Sequence, residues 1–112
     1  MNDFEFTGRI IKEAREARGW TQLQLADALD VDIRTVRRLE DGTSKHGTEI
    51  FLKCVVTLRL SADICVYAPR DENGLLMHRL YQEMLQLTPE QIERVYKSAH
   101  HIREWYESAS GD

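Results

Sequence analysis

The segment from Thr21 to Gly42, TQLQLADALDVDIRTVRRLEDG, constrains the fold more than any other part of the chain, because it carries the start and stop signals of two short helices joined by a tight turn. Thr21 is a cap for the first helix, and Gln24, three residues on, is placed to reach back and complete a capping box. Leu25, Ala26 and Leu29 then form an apolar stripe at helical spacing. The turn falls at Asp30-Val31: Asp30 tolerates a left-handed backbone, and Val31 is placed to plug the space between the helices. Asp32 is a strong N-cap for the second helix. Val36 and Leu39 point inward at i, i+3, which leaves Ile33, Arg34, Arg37 and Arg38 outward or on the flanks. Gly42 supplies the stop.

The flanking sequence adds two more helices. Gly8 to Arg18 reads as one, with Ile10, Ile11 and Ala14 apolar and a stop at Gly19. Trp20, just before the Thr21 cap, is placed as a hydrophobic staple against Leu25 or Gln24. After the loop TSKHG, Thr48 is the expected cap of a helix that buries Ile50, Phe51, Cys54, Val55 and Leu58. Four helices in this order make a small domain around one core.

From Gly8 to about Leu60 the chain resembles the DNA-binding domain of the Cro/CI (XRE) repressors. The resemblance rests on Arg18-Gly-hydrophobic-Thr-Gln22, Leu25-Ala26, the small-polar/valine turn at Asp30 and Val31, and the Leu39-Glu-acidic-Gly42 ending. It implies a lambda-repressor-like helix-turn-helix domain whose second helix enters the major groove of double-stranded DNA. On that expectation Arg34 and Arg38, one turn apart, make bidentate contacts with guanine, and Ile33 packs on a thymine methyl. Thr35 lies on the same helix, and Arg37, on its flank, reads a base or holds a phosphate. Gln22 matches the family glutamine that clamps the DNA backbone, and Thr43, Ser44, Lys45 and His46 are backbone-contact candidates in the loop. Glu40 is expected to be structural, paired with Arg15 or Arg18. Two departures add carboxylates near the phosphates: Asp30 stands where the family usually has Gly, and Asp32 where it has Ser or Thr.

The net charge of -4 at pH 7 does not oppose this reading, because of where it lies. Through Arg70 eleven basic residues balance eleven acidic ones, whereas from Asp71 onward four basic residues face eight acidic ones. The acidity belongs to the tail, and a basic stripe on one helix is what DNA contact needs. Neither a signal peptide nor a membrane span is legible, and the two cysteines, Cys54 and Cys65, lack metal-ligand spacing. They read as free thiols of a cytoplasmic protein. Neither the histidines nor any glycine-rich loop or nucleophile arrangement supports catalysis, so no cofactor, no metal and no enzymatic activity are expected.

Residues 60 to 68, LSADICVYA, change period: Leu60, Ala62, Ile64 and Val66 alternate with polar residues and predict a short strand ended by Pro69. A lone strand needs a partner, and the same strand in a second copy would pair antiparallel across a homodimer. The segment LRLSADICVYAPRDENG also resembles the strand that joins two subunits in persistence-type antitoxins, which implies a toxin as a possible protein partner. Continuation of a helix through 60 to 68 is the alternative. Two further helices follow the Asp71-Gly74 turn. The first carries Leu75, Leu76, Leu80, Tyr81, Met84 and Leu85 on one face. The second opens with Thr88-Pro89-Glu90-Gln91 and continues with an apolar stripe of Ile92, Val95, Tyr96, Ala99, Ile102, Tyr106 and Ala109.

The expected architecture is therefore mainly α: a helix-turn-helix domain (1-59), a dimerising strand (60-70) and a C-terminal helical hairpin (71-112) that extends the dimer or receives a partner. The expected function is a dimeric repressor reading a pseudopalindromic operator. An antitoxin that also regulates its own operon, and an adaptor whose motif no longer binds DNA, are the alternatives.

Overall fold

In a computed structural model, which describes residues 1-43 and 45-110, the first helix α1 spans Asp3–Ala17 and so starts before the expected Gly8. The start signal lies in the chain's first residues: the Asn2 side chain accepts the Glu5 N–H at 2.9 Å, and Asp3 and Glu5 place negative charge in the first turn. This extra turn carries Phe6 into the core. Gly8, which ordinarily weakens a helix interior, has a packing reason. A Cβ there would collide with the carbonyl oxygens of Leu39 and Glu40, so the glycine lets α1 press against the end of the third helix.

Helices α2 (Gln22–Leu29) and α3 (Ile33–Asp41) form as their caps dictate. Thr21 and Gln24 make both bonds of the capping box, at 3.1 Å and 2.8 Å. Asp30 adopts the left-handed conformation with φ 56°, Val31 is half-buried against the core, and the Asp32 carboxylate accepts the Arg34 N–H at 2.8 Å. Gly42 ends α3 at φ 68°, where a side chain would also meet the backbone of Glu5. Helix α4 (Thr48–Leu58) follows, with Gly47 as its N-cap. Thr48, the expected cap, is instead the first helical residue.

The core is the meeting point of these helices: Phe6, Ile10, Ile11 and Ala14 from α1, Leu25, Ala26 and Leu29 from α2, Val36 and Leu39 from α3, and Cys54 and Leu58 from α4. Ile50, Phe51 and Val55 pack half-buried against it, as their spacing predicts. Trp20 is half-buried too, with the Arg18 guanidinium 6.0 Å from its ring.

Residues 60 to 68 do not form the expected strand; Ala62–Tyr67 is a short helix, α5. Ser61 caps it, its hydroxyl accepting the Ile64 N–H at 3.1 Å. The buried positions Leu60, Cys65 and Ala68, with half-buried Ile64, fit one helical face as well as the alternation fits a strand, and the core they cover lies in the same chain. Leu60, Ala62, Ile64 and Val66 therefore do not share a dimerising face. Leu60 and Ile64 turn into the core, whereas Ala62 and Val66 are exposed. The antitoxin-like strand has no support. Arg70 closes α5 by donating to the carbonyls of Ala68 (3.0 Å) and Val66 (3.1 Å), ties back to Asp3 at 2.9 Å, and lies over the Phe6 ring at 4.7 Å.

Helix α6 (Glu72–Met84) starts from Asp71, whose carboxylate accepts the Asn73 and Gly74 N–H groups. Gly74 is buried with no room for a side chain: a Cβ would strike the Pro69 carbonyl and the Phe6 ring. Of the expected apolar face, Leu75 is buried while Leu76 and Leu80 are exposed. The polar member of the buried face is His78, whose Nε2 accepts the Ser61 N–H at 3.1 Å and so joins α6 to the start of α5.

Burial lowers the His78 pKa to about 4, an effect that nearby Glu13 only partly offsets. In the unfolded chain the imidazole takes up its proton near 6.5, so its contribution is complete above that pH and is lost progressively as pH falls towards 4. The melting temperature should fall by several degrees between pH 7 and pH 4.5 in the unmodified protein. In His78→Gln the fall should be smaller, and equal falls in both would remove His78 as the cause.

The chain divides into two compact units, Met1–Gln82 and Glu83–Asp112. The second contains α7 (Pro89–Ser110), which opens with a capping box: the Thr88 N–H donates to Gln91 at 3.0 Å, and the Thr88 hydroxyl accepts the Gln91 N–H at 3.2 Å. No residue of α7 is buried. Among the described residues no helix is long and apolar enough to cross a membrane.

Candidate nucleic-acid interface

The surface of α3 follows from its two buried residues. Val36 and Leu39 anchor one side in the core, and Arg34, Arg37 and Arg38 stand exposed on the remainder. Ile33 and Thr35 are half-buried, Ile33 packing against the core, so only part of the Ile33 side chain faces outward. Thr43 and Lys45 are exposed in the loop, and Ser44 lies outside the described residues.

The arginines differ in their partners. Arg34 donates through Nε and Nη2 to both carboxylate oxygens of Asp32, each at 3.1 Å. Those side-chain bonds, and then the Arg34 backbone N–H, hold Asp32 down at about 2. Arg37 and Arg38 have no ion-pair partner among the described residues. Two cations are therefore free to meet phosphate or base edges, and the third is held by a neighbouring carboxylate.

Asp32 both caps α3 and restrains Arg34. Asp32→Asn keeps the capping oxygen, releases Arg34 and removes a negative charge from the α3 surface. The variant should bind duplex DNA more tightly, roughly fivefold, with a larger gain at low salt. Fluorescence anisotropy with labelled duplex measures this; unchanged or weaker affinity would show that the carboxylate does not face DNA.

Beneath this surface lies a buried polar network that fixes the angle between helices. Glu40 of α3, whose side chain is 1% exposed, accepts from Arg15 Nε at 2.6 Å and Nη2 at 3.0 Å. Arg15 was one of its two expected partners. It also donates Nη1 to the Trp20 carbonyl at 2.8 Å, and the hydrogen bond to Glu40 raises its pKa further. Gln22 completes the network, donating Nε2 to Glu40 Oε1 at 3.0 Å. One carboxylate thus ties α1, the start of α2 and α3 together.

Sequence reasoning placed Gln22 at the interface but missed this bond. The Gln22 amide keeps a second N–H, and the bond to Glu40 orients the half-buried side chain at the N-terminus of α2. No sequence signal pairs Gln22 with Glu40, because the contact depends on how α2 crosses α3. Gly8 did carry a signal: an isolated glycine inside a helical pattern marks a close approach.

No curated protein matches the chain. A family model described as Helix-turn-helix matches residues 11-64, which takes in the second half of α1 and all of α2, α3 and α4. The caps, the left-handed turn at Asp30, the buried Glu40 network and the exposed arginines all fall within that span, and residues 11-64 form a helix-turn-helix domain of the kind found in DNA-binding transcriptional regulators.

Proposed function

We propose that this protein is a sequence-specific DNA-binding transcriptional regulator that acts as a dimeric repressor on a pseudopalindromic operator. The observation that carries the reading is the exposure of Arg34, Arg37 and Arg38 on a helix fixed from behind by Val36, Leu39 and Glu40. A rigid helix with forked guanidinium groups matches the guanine edge in the major groove, where arginine makes bidentate contacts. Gln22 and the amides at the N-terminus of α2, with Thr43 and Lys45 of the loop, hold phosphates on either side.

One domain presents few cations, so a single copy is a weak reader. Two copies with their α3 helices about one helical turn apart, ~34 Å, combine both affinities on an inverted repeat. Repression is the regulatory outcome that needs no further part, since an occupied operator obstructs other proteins at the same DNA. Selection of bound fragments from randomised duplex DNA tests the reading. An enriched inverted repeat, with affinity falling steeply as salt rises, is expected. Recovery of unrelated sequences at one common affinity would reduce the protein to a nonspecific binder.

A further inference from the structure

Helix α7 has 22 residues and buries none of them, although Ile92, Tyr96, Ile102, Trp105 and Tyr106 are large and remain between 37% and 69% exposed. Its apolar residues keep a seven-residue repeat: Ile92, Ala99 and Tyr106 fall at one position, and Val95, Ile102 and Ala109 three residues after each. That is the a/d pattern of a helix meant to pack along its length on another helix. Ala99 also lies in a groove of about 240 Å³ formed with Tyr96, His100 and Arg103. The groove lies along the edge of the a/d stripe.

We propose that α7 packs antiparallel against α7 of a second copy, about a two-fold axis passing between His100 and His101. This deepens the dimeric regulator reading, since it supplies the surface that joins the two copies. Side-chain size selects the direction. A parallel, in-register pair would set Ala99 against Ala99 and Tyr106 against Tyr106, leaving a void in one layer and crowding another. The antiparallel pair sets Ile92 opposite Ala109 of the second copy, Val95 opposite Tyr106, and Ala99 opposite Ile102, which evens out the layers. The branched Ile102 then covers the small Ala99 side chain.

In the antiparallel pair the helix dipoles oppose rather than align. Area points the same way: aromatic side chains such as Tyr96, Trp105 and Tyr106 bury roughly 150 to 250 Å² each when fully covered. Even the exposed parts of these three, with the Ile92 and Ile102 side chains, supply a large part of the roughly 800 Å² per partner of a stable interface.

Sedimentation and disulfide trapping of the full chain, both without DNA, test the pairing. The 13.1 kDa chain should sediment at about twice its mass, and Ile102→Glu, a change at an exposed position, should halve it. Ile92→Cys and Ala109→Cys chains should cross-link when mixed under oxidation, and neither should cross-link alone. The native Cys54 and Cys65 are buried, with thiols pushed up to about 11, and stay out of the reaction. Self-cross-linking of Ala109→Cys would mean a parallel pair and overturn the proposal. So would a monomeric unmodified chain, or an Ile102→Glu chain that remains dimeric. DNA selection is a separate readout, so a monomeric chain that still enriches a half-site would sink the pairing and leave the DNA reading standing.

Discussion

Replacing Glu40 with Ala should destabilise the first unit by about 3 to 5 kcal/mol, because it leaves the Arg15 guanidinium charged, largely shielded from water and without its carboxylate. The loss has a second part. Gln22 forfeits the acceptor that orients it, so the start of α2 loses its tie to α3. Urea unfolding followed by circular dichroism measures the stability. Glu40→Gln, which keeps one carbonyl acceptor, should fall between the two. Replacing Arg15 and Glu40 together, with Met and Leu, should cost far less than Glu40→Ala, since a buried pair removed whole leaves no orphaned charge. A loss under 1 kcal/mol for Glu40→Ala would mean that water reaches Arg15 and that the network does not hold the domain's geometry.

Phe6→Ala should cost a comparable 3 to 5 kcal/mol, the usual range for deleting a fully buried aromatic ring. Phe6 is 0% exposed, with the Arg70 guanidinium on its face and Gly74 pressed so close that a side chain there would clash with the ring. The ring therefore joins α1 to the start of α6. Its removal opens a cavity and deprives Arg70 of its cation–π partner. Phe6→Leu, which refills most of the space, should recover more than half of the loss. Equal losses for Leu and Ala would point to the aromatic face rather than to volume.

The positions of these two residues show how far the sequence could be read. Thr21, Gln24, Asp30, Asp32 and Gly42 were legible because caps and left-handed turns are local: the Thr21, Gln24 and Asp32 side chains satisfy backbone groups two or three residues away, and Asp30 and Gly42 take the left-handed conformation themselves. Val36 and Leu39 were legible by periodicity. The first turn of α1 is not legible from spacing, because a helix start at Gly8 already accounts for Ile10, Ile11 and Ala14, and Asn2 as a cap precedes any apolar repeat. The strand at 60 to 68 failed for a different reason. Over so few residues, period two and period 3.6 select overlapping positions, and Ser61 capping the Ile64 N–H decides for the helix.

Within the interface the same division holds. Exposure of Arg34, Arg37 and Arg38 follows from the two buried residues of α3, and the structure agrees. The restraint on Arg34 joined two features that sequence alone had noted separately, the Asp32 cap and the arginine two residues later. Gln22's bond to Glu40 was beyond reach, since it joins residues 18 apart in sequence across two helices.

The central claim, that α3 reads bases, is tested most directly by a thermodynamic cycle between Arg38 and the guanines of a selected half-site. Affinities of the unmodified protein and of Arg38→Ala are compared on the selected duplex and on duplexes with each guanine replaced in turn. Arg38→Ala should lose about 1 to 3 kcal/mol on the selected site and little on the duplex lacking its guanine, leaving a coupling of nearly the same size. An equal loss on every duplex would make Arg38 a phosphate contact, and no loss on any would contradict readout by this face of α3.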